Sequence, residues 1–154
     1  MKSRLRGHVK IEVEGRTVFE DHNLITNAGI AHIASLLVGV ETTPFKYVAL
    51  GTGTSPADVA DLALETEKTD DGAERVLAQS IDTFQSNVEG DTARLIASFA
   101  VTDDFDLSEI GLFSALVAGV LGAHRVFSPV SVLADQTVVV TWTLTVTAEE
   151  EMIP

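Results

Sequence analysis

The segment QTVVVTWTLTV, Gln136 to Val146, decides the fold. Val138, Val140, Trp142, Leu144 and Val146 fall on one face of an extended chain, and Val139, Thr141, Thr143, Thr145 and Thr147 on the other. β-Branched residues on both faces suit a long strand with a neighbour on each side. The same alternation returns at the other end of the chain. Over Gly7 to Glu14, Val9, Ile11 and Val13 oppose Lys10, Glu12 and Glu14, Glu14-Gly15 reads as a turn, and RTVFED as a returning strand. Between these ends, FKYVALG (45–51), RVLAQSIDTFQ (75–85), ARLIASFAVT (93–102), SEIGLFSA (108–115) and GVLGAHRVFSPV (119–130) read as further strands, the last broken by Pro129. SNVEGD (86–91) suits a tight connection.

The period changes once. In NLITNAGIAHIASLLVGVE (23–41), Ile30, Ile33, Ala34 and Leu37 recur at helical spacing, with Thr26 or Asn27 as the N-cap and Gly39 as the stop. His32 is predicted on the polar side of that helix. About eight strands in close succession, without crossover helices, predict a mainly β fold, an antiparallel β-sandwich of jelly-roll type with one short α-helix. The predicted organisation is one domain over 1–154: an N-terminal hairpin or docking arm (1–22), a sandwich core (23–147), and a frayed acidic tail, AEEEMIP (148–154).

Composition narrows the function classes. There are no cysteines, which removes disulfides, thiolate metal sites and cysteine nucleophiles. No run of about eighteen apolar residues occurs, so no membrane partner is expected, and Lys10, Glu12 and Glu14 interrupt any signal-peptide pattern at the start. A net charge of −13, from 23 acidic and 10 basic residues, opposes nucleic-acid binding. Low lysine with high acid fits a halophilic protein, as it fits an acidic mesophilic one, and the charge implies solubility and stability that rise with salt. Lys2, Arg4, Arg6 and Lys10 concentrate positive charge in the first ten positions, where they could dock an acidic neighbour or line an ordinary solvated strand.

Motifs for chemistry are thin. KYVALGTGTSPADVADLALETE (46–67) carries Gly51-Thr52-Gly53-Thr54 after a strand, but Lys46 precedes the loop and Pro56 follows it, so the phosphate-loop pattern fails. The glycines are expected instead to let the backbone leave the strand at positive φ. Asp58, Asp61, Glu65 and Glu67 form one acidic cluster, and Asp103, Asp104, Asp106 and Glu109 a second; both are weak calcium candidates without EF-hand spacing. His8, His22, His32 and His124 stand singly, and no serine sits in a Gly-x-Ser-x-Gly elbow. The expectation is a protein with no cofactor, no metal and no catalytic site. Trp142 and Tyr47, the single tryptophan and tyrosine, offer no aromatic platform for sugar.

The order of these stretches resembles a family of tailed-virus virion proteins, the tail-fibre or tail-collar attachment domains and related small structural proteins of bacterial and archaeal viruses. The resemblance spans roughly residues 23 to 147. It rests on an I-T-N-x-G helix start (Ile25 to Gly29), ALGTGT (49–54) followed by an acid-ended loop, an E-x-G-L-F strand (Glu109 to Phe113) and a V-x-W strand (Val140, Trp142). It implies a non-enzymatic component of a tail tip, baseplate or fibre base, located in the virion and forming a homotrimer with itself and contacts with other virion proteins. A capsid decoration or turret protein is the alternative, and a module reading a host surface glycan a second one. The resemblance implies that SPADVADLALETE (55–67) lies across the domain, anchored by Leu62 and Leu64, and that Ile110, Leu112 and Phe113 divide between the interior and a subunit contact. Candidate assembly contacts are Lys2, Arg4 and Arg6, together with Leu116, Val117, Val120 and Leu121 in the charge-poor SALVAGVLGA (114–123).

Overall fold

The Gln136–Val146 segment lies inside a long curled sheet, with a neighbouring strand on each side. In the computed structural model, which describes residues 2–149, the elements follow the order β1 (Lys2–Val13), β2 (Arg16–Ile25), α1 (Asn27–Leu37), β3 (Tyr47–Gly51), β4 (Val76–Leu77), β5 (Ser80–Phe84), β6 (Thr92–Ala100), β7 (Phe105–Phe113), β8 (Leu121–Val132) and β9 (Thr137–Glu149). The strands are ordered β4-β3-β7-β8-β2-β1-β9-β6-β5, and all pairings are antiparallel. The fold is mainly β with one short helix, as expected, and its sheet folds back on itself like a sandwich.

β2 makes the corner. Through Asn23 it pairs with β1, and at Leu24 and Ile25 it pairs with His124 and Ala123 of β8. One half is thus β2-β1-β9-β6-β5 and the other β2-β8-β7-β3-β4. Their inner faces close on Val9, Ile11, Val138, Val140, Trp142 and Phe99 from the first half, and on Val48, Leu50, Leu107, Ile110 and Leu112 from the second, all essentially without solvent exposure. Trp142 Nε1 donates to Asn23 Oδ1 at 2.9 Å, so the indole is buried with its polar edge satisfied.

Glu14 and Gly15 both take positive φ (51° and 75°), the requirement of a two-residue hairpin whose twist matches its strands. Register then shifts: Glu12 pairs with Thr17 but Ile11 with Phe19, leaving Val18 as the extra residue of a bulge. The hairpin is built into the sheet along its whole length rather than standing off as an arm. β9 runs on to pair Ala148 with Ser3 and Glu149 with Lys2, two residues beyond the predicted end of the core. The remaining tail, 150–154, lies outside the described residues. β8 continues through Pro129; the ladder to β7 absorbs the proline in an irregularity between Leu107–Val130 and Glu109–Val126.

The helix corrects the sequence reading. Thr26 is the N-cap, its hydroxyl accepting from Gly29 N at 2.9 Å, and Gly39 at φ 75° ends the helix. The buried residues, however, are Gly29 and His32, while the predicted core-facing Leu37 is 81% exposed and Ile30 is exposed too. Backbone proximity sets this orientation. A Cβ on Gly29 would lie 2.4 Å from the Gly122 carbonyl oxygen, so the helix settles on β8 at its glycine. His32 turns inward, where its Nε2 bonds the Thr43 carbonyl at 2.6 Å and its ring leans on Phe45.

Candidate functional site

β7 is buried from Leu107 to Phe113 on both faces. The inner face meets the sandwich core. The outer face is covered by the connection from β3 to β4, a strap that crosses β3, β7 and β8 on its way through residues 52–75. Leu64 is buried in the strap; a Cβ on Gly111 of β7 would stand 2.8 Å from its Cδ2. Covering a leucine this fully is worth about 1.5–3 kcal/mol. Leu62, the other predicted anchor, is 74% exposed instead. Phe113 is likewise covered by its own chain: it clusters with Ala49, Leu64 and Leu121, and the Arg75 guanidinium stacks 3.5 Å from its ring centroid. Phe113 is thus buried rather than a subunit contact, and Leu121, 1% exposed, belongs to the same cluster beneath the strap rather than to an assembly surface.

Glu109 stands at the centre of this arrangement with no exposure at all. Its Oε1 accepts from Gly53 N at 3.0 Å and Thr66 N at 2.7 Å, and its Oε2 from Glu65 N at 3.1 Å. The glycine-rich loop is therefore an anion cradle after all, but the anion it holds is a carboxylate of its own chain. Gly51 and Gly53 are not in the positive-φ region, contrary to expectation. They are glycine because a Cβ at either would sit 2.5 Å from Glu109 Oε1. Ser108 Oγ adds a bond to the Gly53 carbonyl at 2.6 Å.

His124 of β8 completes the cluster. Its Nε2 meets Glu109 Oε2 at 3.1 Å and its Nδ1 meets Asp61 Oδ2 at 2.9 Å, with the ring buried. Burial is the largest influence on the ring and works against its charge, but bonds to Glu109 and Asp61 outweigh it and hold the imidazole above its ordinary value. For Glu109, burial again is largest and favours the neutral acid. Bonds from His124 and from the amides of Thr66, Glu65 and Gly53 reverse it, holding the carboxyl below its ordinary value. The imidazole thus lies between two carboxyl groups, one at each ring nitrogen. Through Asp61 and Glu109 the ring links β8 to the strap and to β7. Arg75 secures the far end: it forms a fork with Glu67 (3.0 and 2.7 Å) and donates to the Ala115 and Ala118 carbonyls of the β7–β8 turn.

The predicted calcium ligands do not converge. Asp103 accepts from Asp104 N, Asp104 from Ala134 N at 2.7 Å, and Asp106 from Ser131 Oγ, while Glu109 faces the strap. Among the described residues no group of three or more metal-ligating side chains forms. The β1–β2 bulge brings His8 opposite His22, with ring centroids 5.7 Å apart, a pairing hidden in the sequence because it depends on Val18 being skipped. Of the assembly candidates, Leu116 (53%) and Val117 (81%) are exposed at the β7–β8 turn and Val120 is half-buried. Arg4 and Arg6 are exposed along β1 opposite Thr147 and Thr145, and the side chain of Lys2 lies outside the description. No family model matches the chain, and no curated protein matches it.

Proposed function

We propose that this chain is a non-enzymatic structural protein of a tailed virus, a symmetric component of the tail tip, baseplate or fibre base that works by docking on copies of itself and on other virion proteins. One observation carries the reading: the β7–β8 turn is held rigid while presenting apolar side chains to solvent. Ser114 and Val120 exchange bonds across it (Ser114 N to Val120 O, 3.1 Å; Val120 N to Ser114 Oγ, 2.8 Å), and Arg75 grips its carbonyls. A turn fixed in this way, yet carrying exposed Leu116 and Val117, suits a preformed contact. The helix offers the same character, since Asn27 to Val40 contains no charged residue and exposes Ile30, Leu37, Val38 and Val40. The resemblance to tail-attachment domains supplies the setting, and the buried acid–histidine cluster supports a structural rather than a catalytic use of the charged core. Sugar recognition has less support, because Trp142 is wholly interior.

Sedimentation equilibrium at micromolar concentration in molar salt tests the reading. The expected mass is that of a trimer of the 16.4 kDa chain, and Val117→Glu should return it to the monomer. A wild-type protein that sediments as a 16.4 kDa monomer would remove the self-assembly on which the reading depends.

A further inference from the structure

The clasp on His124 has an asymmetry. Two carboxylates accept from one ring, which is possible only while both nitrogens carry protons. Glu109 is fully enclosed and holds three strap amides besides; it cannot turn to water without orphaning all of them. Asp61 is 28% exposed on its side chain and can turn. When the ring holds one proton, that proton stays on Nε2 toward Glu109, and the bare Nδ1 then faces Asp61 Oδ2 acceptor to acceptor.

We propose that His124 is a proton-operated latch for the strap: loss of the second ring proton releases Asp61 while Glu109 holds, and the limb from Ser55 to Ala63 lifts from the sheet. Asp61 Oδ2 also accepts from Asp58 N at 2.8 Å, so the limb's own turn loosens with it. Val59 O, which accepts from Asn27 N at 2.8 Å, ties the limb to the start of α1, so the signal reaches the helix cap. The limb roofs two clefts, of about 490 and 330 Å³, that meet at Pro56 and His124. Lifting it would merge them into one polar groove. Other charged or titratable groups facing these clefts are Glu65 of the strap, which holds Ser55 N at 2.8 Å, His22 of β2, and Arg125 of β8, paired with Asp21 at 3.0 Å. Among the described residues, the hydrogen-bond partners of the ring are Asp61 and Glu109.

The sign follows from the raised imidazole. Its contribution is complete below the ordinary value of 6.5 and fades as pH climbs through its higher folded value. The latch therefore opens on the alkaline side. Glu109 is lowered, so its contribution is complete above 4.5 and fades only as pH falls through its lower folded value. This proposal stands apart from the virion reading and survives or fails without it.

The test is nitrogen-15 NMR and amide exchange on the intact chain from pH 5 to 10. At pH 6 both ring nitrogens of His124 should be protonated. Across the ring's titration the amides of Asn27, Asp58 and Ala60 should lose protection by about tenfold per pH unit beyond the intrinsic rise. Those of Gly53, Glu65 and Thr66 should hold. Asp61→Asn, whose amide can donate or accept by turning over, should fold normally and abolish the step. A singly protonated ring at pH 6 with the limb closed would overturn the proposal, as would limb amides indifferent to the titration. Simultaneous loss of protection at Gly53 and Thr66 would equally overturn it, since the opening would then be global.

Discussion

The acidic stretch from Asp103 to Glu109 looks uniform as sequence, yet its two ends behave as opposites in the fold. Asp103, Asp104 and Asp106 serve as local fasteners at the rim: one caps its neighbour's amide, one holds the Ala134 amide of the β8–β9 turn, one reaches Ser131 across the ladder. Glu109, next in line, faces the opposite way and gathers amides 43, 44 and 56 residues distant, with His124 besides. Three residues along one strand thus separate a solvated carboxylate from a fully enclosed one. A carboxylate's worth is fixed by how many donors it alone satisfies and how little water could replace it.

The contrast can be broken most severely at Glu109. Glu109→Ala should cost about 3–5 kcal/mol, because it leaves three buried amides and the imidazole without their shared acceptor. Urea unfolding would read this directly, and a loss under about 1 kcal/mol, the range of an exposed pair, would place Glu109 with the rim aspartates. A second test adds volume rather than removing charge. Gly53→Ala inserts a Cβ 2.5 Å from Glu109 Oε1 and 2.6 Å from the Glu65 Cβ. The strap must shift, for about 1–3 kcal/mol, and a substitution without effect would mean that the loop is not pressed against the carboxylate. The smallest effect is expected at the rim: Asp104→Ala should cost about 0.5–1.5 kcal/mol, one exposed hydrogen bond. Equal destabilisation by Asp104→Ala and Glu109→Ala would dissolve the distinction.

Much of the framework was legible in sequence. Period-two patterns located the β1–β2 hairpin and the inward face of β9, with Val138, Val140 and Trp142 buried as read. Thr26 and Gly39 marked the helix ends. What escaped were choices made between distant residues. Helical periodicity picked Ile30 and Leu37 for the core, but the seat of the helix is the meeting of Gly29 with Gly122, and no local pattern records that. Glu109 groups by sequence with the weak calcium candidates, although it lies in the strand SEIGLFSA, where Ile110 and Leu112 signal the core. Its partners could not be inferred, because Gly53, Thr66 and His124 come together only when three strands and the strap are in register. His124 and Asp61 were each noted and never connected, their separation of 63 residues being invisible to motif spacing.

The position of β9 between β1 and β6 has a consequence for how the molecule comes into being. β1 and β2 close through a two-residue turn and can associate at once, as can β5 with β6 across 85–91. Yet in the sheet the hairpins are joined by β9, which pairs residue by residue with both and follows them among the described residues. Until it arrives, β1 and β6 each carry an open edge of nine or more residues. Contacts as remote as Lys2 with Glu149 place this chain among slow, non-local folders, in milliseconds to seconds for topologies of this kind. On a ribosome, this seam of the sheet closes only once β9 has emerged. During that interval two unpaired strands stand available to a chaperone, or to a sister chain at the same stage.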